Sequence, residues 1–235
     1  MKTSELVNEL NKKNIKLTQK QIDQLETYAE FLSWYNEKIN LTAITEHDEI
    51  IDKHFFDSLL LIDRKIEGTL VDVGTGAGFP GVVLKIAIPT LKVILVEPIK
   101  KRCVFLQELI NKLELKNIEI VNERGEDYSL KHREEFDFVT ARAVTNLNAL
   151  IEICGSLVKI GGYFICLRGK DGKSEIDNAK KAIELMGFEI ESIKEDCLFD
   201  GSIRIISYLK KVNKTNKKYP RKYSIIKAQS LWKKK

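Results

Sequence analysis

The sequence predicts an α/β protein with a mainly parallel sheet of seven strands, a closing antiparallel hairpin and preceding helices. Three observations predict it. First, Leu70-Val71-Asp72-Val73 is a short apolar run that breaks into the alternating glycines Gly74, Gly76 and Gly78. The helical pattern Val82-Val83-Leu84-Lys85-Ile86-Ala87 follows, giving strand, permissive loop and helix in series. Second, strand-like runs alternate with helix-length periodic segments from Gly68 onward, as in a parallel sheet covered on both faces. Third, the last two runs, Phe188 to Ile193 and Ile203 to Lys210, have no long helix between them, as expected of an antiparallel pair.

Taken in order, the first 60 or so residues read as helical. Thr18-x-x-Gln21 is a capping-box pattern, after which Ile22, Leu25, Ala29 and Leu32 recur at helical spacing. A looser box, Thr45-x-x-Asp48, precedes Ile51, Phe55, Leu59 and Ile62, and the chain must turn between the two over Asn36 to Thr42. In His54-Phe55-Phe56-Asp57, spacing alone reads the His and Asp as a cap or local hydrogen bond on one helix face. The expected strands are 69–73, 92–97, 118–121, 136–140 and 162–167, then the two closing runs. The expected helices are 80–88, 99–113, 146–158 and 174–186. Pro80 suits a first helical turn, Pro89 stops that helix, and Gly161-Gly162 is expected to end a later one. The chain therefore divides into an N-terminal helical region (1–65) packed on the core, an α/β domain (66–211) and a C-terminal tail (212–235).

Composition narrows the function. No apolar run approaches the roughly 20 residues of a membrane span, and the N-terminus lacks the apolar stretch of a signal peptide. Cys103, Cys154, Cys166 and Cys197 are scattered, without a C-x-x-C pair or ligand spacing to His47, His54 or His132. Reduced thiols in a cytoplasmic protein, with no metal site, are the expectation. The net charge of +5 hides an asymmetry: from Lys211 onward there are ten basic residues and no acidic one, so positions 1–210 carry a net −5. Tyr219, Pro220, Tyr223, Ile225, Ile226, Leu231 and Trp232 are interleaved with these charges, which favours a nucleic-acid-facing segment over a solvated, disordered end.

The glycine loop allows two registers. Gly76-Ala77-Gly78-Phe79-Pro80-Gly81 satisfies G-x-G-x-x-G, the pattern that holds a dinucleotide pyrophosphate on helix N–H groups. Pro80 removes one such donor, bulky Phe79 sits beside it, and Asp72 adds a negative charge ahead of the glycines. That set suits a zwitterionic amino-acid group and a cationic sulfonium better than a pyrophosphate. The second register, Asp72-x-Gly74-x-Gly76-x-Gly78, resembles the first motif of Rossmann-like S-adenosylmethionine-dependent methyltransferases. Glu97, ending the second strand, can accept both ribose hydroxyl protons of either cofactor. The proline and the closing hairpin favour the methyltransferase. A nicotinamide-dependent oxidoreductase and a non-catalytic RNA-binding protein of the same fold remain the competing functions.

Several further stretches resemble the family of small-subunit ribosomal RNA methyltransferase G, also called glucose-inhibited division protein B. They are Tyr35-Asn36-x-x-Ile39-Asn40-Leu41-Thr42-Ala43-Ile44, His54-Phe55-x-Asp57-Ser58-Leu59, and Asp72 through Gly81. Further on come Lys101-Arg102-x-x-Phe105-Leu106, Arg124-Gly125-Glu126, Phe136-Asp137-x-Val139-x-Ala141-Arg142-Ala143, Lys159-x-Gly161-Gly162 and Tyr219-Pro220-Arg221-Lys222. The resemblance implies methylation of ring nitrogen 7 of one guanosine (position 527 of the RNA) in 16S ribosomal RNA, with S-adenosylmethionine as donor. It places cofactor contacts on Gly74, Phe79, Gly125, Glu126 and Arg142. Where the family often carries Ala, Asp and Ser, this chain has Gly125, Glu97 and Pro98, and Ser224, Ile226 and Ser230 depart from its tail pattern.

The chemistry so implied asks for alignment and desolvation, since guanine nitrogen 7 carries a lone pair and no proton. No general base is expected. Arg142, just past the fourth strand, is expected to close the pocket and align guanine or cofactor; its alternative is an ion pair with Glu126 or Asp137. Lys100, Lys101 and Arg102 begin a helix, where positive charge opposes the dipole, and a basic rim around the cleft would explain them. Arg168, Lys170 and Arg204 would extend that rim toward Arg221 and Lys222 in the tail. The partner expected is 16S ribosomal RNA, as naked RNA, small subunit or assembly intermediate, bound by a monomer.

Overall fold

Local signals set the N-terminal helices. In the computed structural model, which describes residues 1–63, 65–142, 145–229 and 231, α1 spans Thr3–Lys12 and α2 spans Gln19–Ile39. Thr18 caps α2 as its pattern predicts: its hydroxyl accepts from the Gln21 N–H, and the Gln21 side chain accepts from the Thr18 N–H. The second expected box does not form. α3 (His47–Ile50) starts after Glu46 with no side-chain cap, then runs through a π-helical turn (Ile51–Phe56) into α4 (Asp57–Leu59). Leu25, Leu32, Phe55 and Leu59 share one apolar core with Val83 and Leu106 of two helices that cover the sheet and with Leu70 and Leu95 of its strands, so the helical region packs on the domain.

Seven strands form one sheet in the order β3-β2-β1-β4-β5-β7-β6. β1 (Thr69–Val73), β2 (Lys92–Val96), β3 (Ile118–Val121), β4 (Phe136–Arg142) and β5 (Val158–Arg168) are parallel. β7 (Ile203–Lys211) lies between β5 and β6 (Phe188–Cys197), antiparallel to both. The expected parallel sheet with a closing hairpin is therefore present. α5 (Gly81–Ala87), α6 (Lys100–Lys112), α7 (Gly125–Lys131), α8 (Leu147–Gly155) and α9 (Gly172–Leu185) provide the crossovers. Because β1 joins β2 on one side and β4 on the other, the strand order reverses beside it, and a crevice opens at the carboxyl ends of β1, β2 and β4.

Two local expectations are corrected. Gly161-Gly162 does not end a helix: α8 stops at Gly155 and β5 already runs from Val158, with a register shift against β4 between Phe136 and Phe138. β4 extends two residues beyond its expected end, which makes Arg142 its last residue.

The tail is not a loose charged end. Lys211, counted among its ten cations, is fully buried; its three ammonium protons go to the carbonyls of Gly155 and Met186 and to the Thr215 hydroxyl. Arg133 donates to the carbonyls of Thr215 and Tyr219. α10 (Tyr223–Ala228) then seats Ile226 in the core that also holds Leu150 and Ile153 of α8. Trp232 and Lys233 to Lys235 lie outside the described residues, as does Ala143. Among the described residues, no helix is long and apolar enough to cross a membrane and no group of side chains could hold a metal ion. The four cysteines are free, and Cys197 alone of them is exposed.

Candidate active site

The glycine loop is shaped from below. Asp72 is fully buried; its Oδ2 accepts from the Thr75 hydroxyl (2.6 Å) and the Gly81 N–H (2.8 Å). Its Oδ1 has no partner among the described residues, and burial pushes the carboxyl up to about 6. Asp72 thus ties both ends of the loop together rather than lining the cleft above it. Gly78 turns inward as well: at φ +102°, a Cβ there would sit 2.6 Å from the Tyr28 hydroxyl, which donates to the Ala77 carbonyl. Gly76, at φ +62°, faces open space, with nothing nearer than 4.0 Å to an added Cβ. Its N–H donates to Glu97 Oε2 (2.9 Å), while Oε1 accepts from the Ile99 N–H (2.9 Å).

Above Gly74 to Ala77 lies a cleft of about 360 Å³ lined also by Leu41, Thr42, His54, Phe79, Glu97, Pro98, Ile99, Arg102 and Arg142. Its size falls in the range of small-molecule sites. A buried carboxylate is fixed at one end by backbone amides, with further lone pairs available to hydroxyl donors. Bare glycine backbone forms the floor, and apolar Pro98 and Ile99 flank the acid. This set fits a nucleoside-containing cofactor. Of the sequence-predicted cofactor residues, Gly74, Gly76, Phe79, Glu97 and Arg142 meet here. Gly125 is not among the lining residues; it opens α7, where an added Cβ would sit 2.5 Å from Val73 Cγ1 and 3.0 Å from Ile153 Cγ2. Glu126 lines a separate pocket with Arg124, Leu130, Lys222 and Tyr223, its Oε1 buried and 4.0 Å from Arg124 Nη1.

The far wall of the cleft is a polar network that spacing alone did not reveal. Arg142 does not pair with Glu126 or Asp137; Asp137 is taken by Thr69 and Lys159. Its Nη1 donates to Asp57 Oδ2 (2.9 Å) and the Lys53 carbonyl (3.1 Å), and its Nη2 donates to His54 Nδ1 (2.8 Å). An arginine has no acceptor, so His54 Nδ1 carries no proton and Nε2–H donates to Thr42 Oγ1 (3.0 Å). Burial first, and the Arg142 charge second, lower the His54 pKa to about 3, so the ring is neutral near pH 7. The Phe79 ring stacks on His54 (4.2 Å between centroids) and has the Arg142 guanidinium carbon 5.0 Å from its centroid. Asn36 holds the Thr42 segment, accepting from the Leu41 and Thr42 N–H groups and donating to the Thr42 carbonyl. His54 and Asp57 therefore face the sheet rather than cap their own helix. The π-helical turn that aims them has no period a sequence reading could find.

Arg142 and His54 also line a second cleft, of about 680 Å³, with Ile44, Lys53, Asp57, Asn146, Leu167, Arg168, Gly169, Glu175 and Arg204. Arg204 Nε reaches Asp57 Oδ1 (2.5 Å), and Arg168 is held by Glu175. The expected basic rim is thus divided. Lys100, Lys101 and Lys170 are exposed; Arg102 lines the first cleft with Nη1 3.8 Å from Glu97. In the tail, Lys222 is exposed, whereas Arg221 is bound to fully buried Glu152 through Nε (2.8 Å), Nη2 (2.7 Å) and its own N–H (2.9 Å).

Comparison with known proteins bears on the family and the fold. The family model for rRNA small subunit methyltransferase G matches residues 21–198. The ribosomal RNA small subunit methyltransferase G of Alkaliphilus metalliredigens is 45% identical over 208 residues, covering 86% of this chain and 87% of that protein. The protein of the same name from Lactobacillus acidophilus is 44% identical over 229 residues, covering 94% and 95%. Among solved structures, a SAM dependent methyltransferase from Aquifex aeolicus superposes with a TM-score of 0.52 at 18% identity, over 68% of this chain and 93% of that one. A 16S rRNA (adenine(1408)-N(1))-methyltransferase mutant from Catenulisporales acidiphilia gives 0.53 at 15% identity, over 65% and 86%. At these identities the structural likenesses bear on the fold alone, which is that of Rossmann-like methyltransferases. The sequence matches reach further: the chain belongs to the ribosomal RNA small subunit methyltransferase G family.

Proposed function

We propose that this chain methylates ring nitrogen 7 of one guanosine in 16S ribosomal RNA, at position 527 of the RNA, with S-adenosylmethionine as the donor. The observation that carries the reading is the pair of clefts at the switch point sharing Arg142 and His54 as a common wall. In this reading the cleft over the glycine loop holds the donor, with Glu97 on the ribose and Phe79 and Gly74 to Ala77 beneath the amino-acid end. The second cleft receives the acceptor base, extruded from the RNA so that its ring nitrogen can reach the donor. When bound, S-adenosylmethionine would supply an electrophilic methyl carbon on a sulfonium, so that an N–C bond to nitrogen 7 could form in line as the C–S bond breaks and its electron pair leaves with the thioether sulfur.

No proton moves in that step, and His54, the histidine on the shared wall, is neutral with both its ring nitrogens engaged. What the residues contribute is orientation and exclusion of water. Arg142, largely buried over Phe79, fixes the boundary between donor and acceptor. Exposed Lys100, Lys101 and Lys170, next in sequence to residues that line the clefts, and Lys222 at the separate pocket of Glu126 supply positive potential for the RNA backbone, with Arg102, Arg204 and Arg221 set deeper. The protein acts as a monomer in the cytoplasm, on naked 16S RNA or on a small-subunit particle.

The reading is tested by incubating the full chain with tritiated S-adenosylmethionine and either 16S RNA or small subunits from cells lacking the enzyme. Incorporation at one guanosine, recovered as 7-methylguanosine, is expected. A second arm titrates S-adenosylmethionine and NADH by calorimetry; binding of NADH alone would overturn the donor assignment in favour of an oxidoreductase.

A further inference from the structure

An arginine has five N–H donors, and three of those of Arg142 are spent on Lys53, His54 and Asp57. Among the described residues, the Nε–H and one Nη2–H have no partner, and the residue lines both clefts. The guanidinium is fixed from three directions. Asp57 binds Nη1, His54 accepts at Nη2, and the Phe79 ring lies against its face. Asp57 is itself 3% exposed and pinned by Arg204 from β7, so it cannot follow Arg142 if that side chain swings. His54 is pinned by Thr42 and by stacking on Phe79. Side chains from β4, β7, the π-helical turn and the loop after α2 thus converge to set one guanidinium.

We propose that His54 and Asp57 are positioning residues that hold Arg142 with its two remaining donors presented to the 6-oxo group of the acceptor purine, and so set a preference for guanine over adenine. This rests on the acceptor assignment of the second cleft made above. The chemistry is a matter of complementarity. Guanine presents a carbonyl oxygen beside nitrogen 7, which an arginine donor satisfies, whereas adenine presents an amino group there and would set donor against donor. A buried donor left unpaired discriminates more strongly than a missing methylene does. His54 suits the task because its unprotonated Nδ1 can accept from a guanidinium; an imidazolium could not.

The test uses the full chain with S-adenosylmethionine and two target RNAs differing only in guanosine or adenosine at the acceptor position. His54→Ala should lower kcat 10- to 100-fold on the guanosine target, with the Kd for S-adenosylmethionine within threefold of wild type. The guanosine-over-adenosine ratio should narrow. His54→Asn, whose amide can accept from Arg142 and donate to Thr42, should recover most of both; Asp57→Asn should behave as His54→Ala does. A His54→Ala protein with unchanged kcat and unchanged base preference overturns the proposal, as does loss of donor affinity in step with turnover. If the wild-type chain modifies neither RNA, the acceptor assignment itself has failed. The positioning claim then stands on side-chain NMR of arginine-labelled protein. Separate, sharp Arg142 Nη1 and Nη2 resonances, resolved because the bonds to Lys53, Asp57 and His54 restrict rotation of the guanidinium, are expected in wild type and His54→Asn but not in His54→Ala, and their presence in all three refutes it.

Discussion

Replacing Glu97 with Gln changes one atom in the cleft, and its effect can be worked from the hydrogen bonds. Each carboxylate oxygen accepts one backbone N–H at 2.9 Å, Oε2 from Gly76 and Oε1 from Ile99, and each keeps another lone pair for a ribose hydroxyl. Gln retains one acceptor oxygen but turns an NH₂ group toward the other backbone N–H, so a donor meets a donor. Hydrogen bonds to a charged acceptor contribute about 1.5–3 kcal/mol each, and the variant loses the charge from both ribose contacts. A net loss of about 2–3 kcal/mol follows, which is roughly a 30- to 150-fold weaker Kd. Isothermal titration with S-adenosylmethionine and S-adenosylhomocysteine reads this directly. Both ligands carry the same ribose, so both should weaken by the same factor. Glu97→Asp should lose far less, since the carboxylate persists one methylene shorter. An E97Q protein binding both ligands within twofold of wild type would refute the ribose assignment.

Three further outcomes are expected. Arg221→Ala leaves fully buried Glu152 without its partner and should destabilise the protein by about 3–5 kcal/mol in urea unfolding; Glu152→Gln in the same background should recover part of the loss. The folded-state pKa of His54, about 3, lies below the ordinary value near 6.5, so between these pH values the unfolded chain takes up a proton that the folded chain refuses. His54 therefore subtracts stability as pH falls from 6.5, and Asp72, raised to about 6, works the opposite way in wild type and variant alike. The stability of wild type relative to His54→Asn should fall by about 2 kcal/mol from pH 7 to pH 5; an unchanged relative stability would contradict burial of the neutral ring. Finally, Lys217, Lys218 and Lys222 are exposed on a tail that is otherwise packed. Changing all three to Ala should leave the fold intact and lower the slope of log affinity for 16S RNA against log salt by about 2–3.

The sequence made the sheet legible because its strands and crossover helices are long enough to show a period. It hid α7, a seven-residue crossover that opens on Gly125, and it hid the early start of β5, where Gly161 at φ +84° carries the strand through an irregularity. The glycine loop was recognisable, yet its glycines divide in a way spacing does not reveal. Gly76 opens toward the cleft, while Gly78 makes room for Tyr28, 50 residues earlier in the chain. Asp72 is similar: one residue type at one position reads as a ligand contact, but its carboxylate is directed at the loop's own hydroxyl and N–H.

The far wall was the least legible part. Arg142 stands out in the sequence, but its partners are Lys53, His54 and Asp57, and a local reading of His54 and Asp57 stops at their own helix. Only the fold brings the Asn36–Thr42 turn, the π-helical turn and the end of β4 to one place. In the tail, composition favours a nucleic-acid-facing segment over a disordered end but does not sort its cations: Lys211 and Arg221 are consumed in anchoring the segment to the core, while Lys217, Lys218 and Lys222 are exposed.

The central claim is tested most directly by mass analysis of 16S ribosomal RNA from cells with and without this chain, digested so that single positions are resolved. 7-Methylguanosine at position 527 is expected in cells that make the protein, with its loss when the gene is deleted and its return with the wild-type chain. An unchanged 7-methylguanosine content at that position in the deletion strain would contradict it.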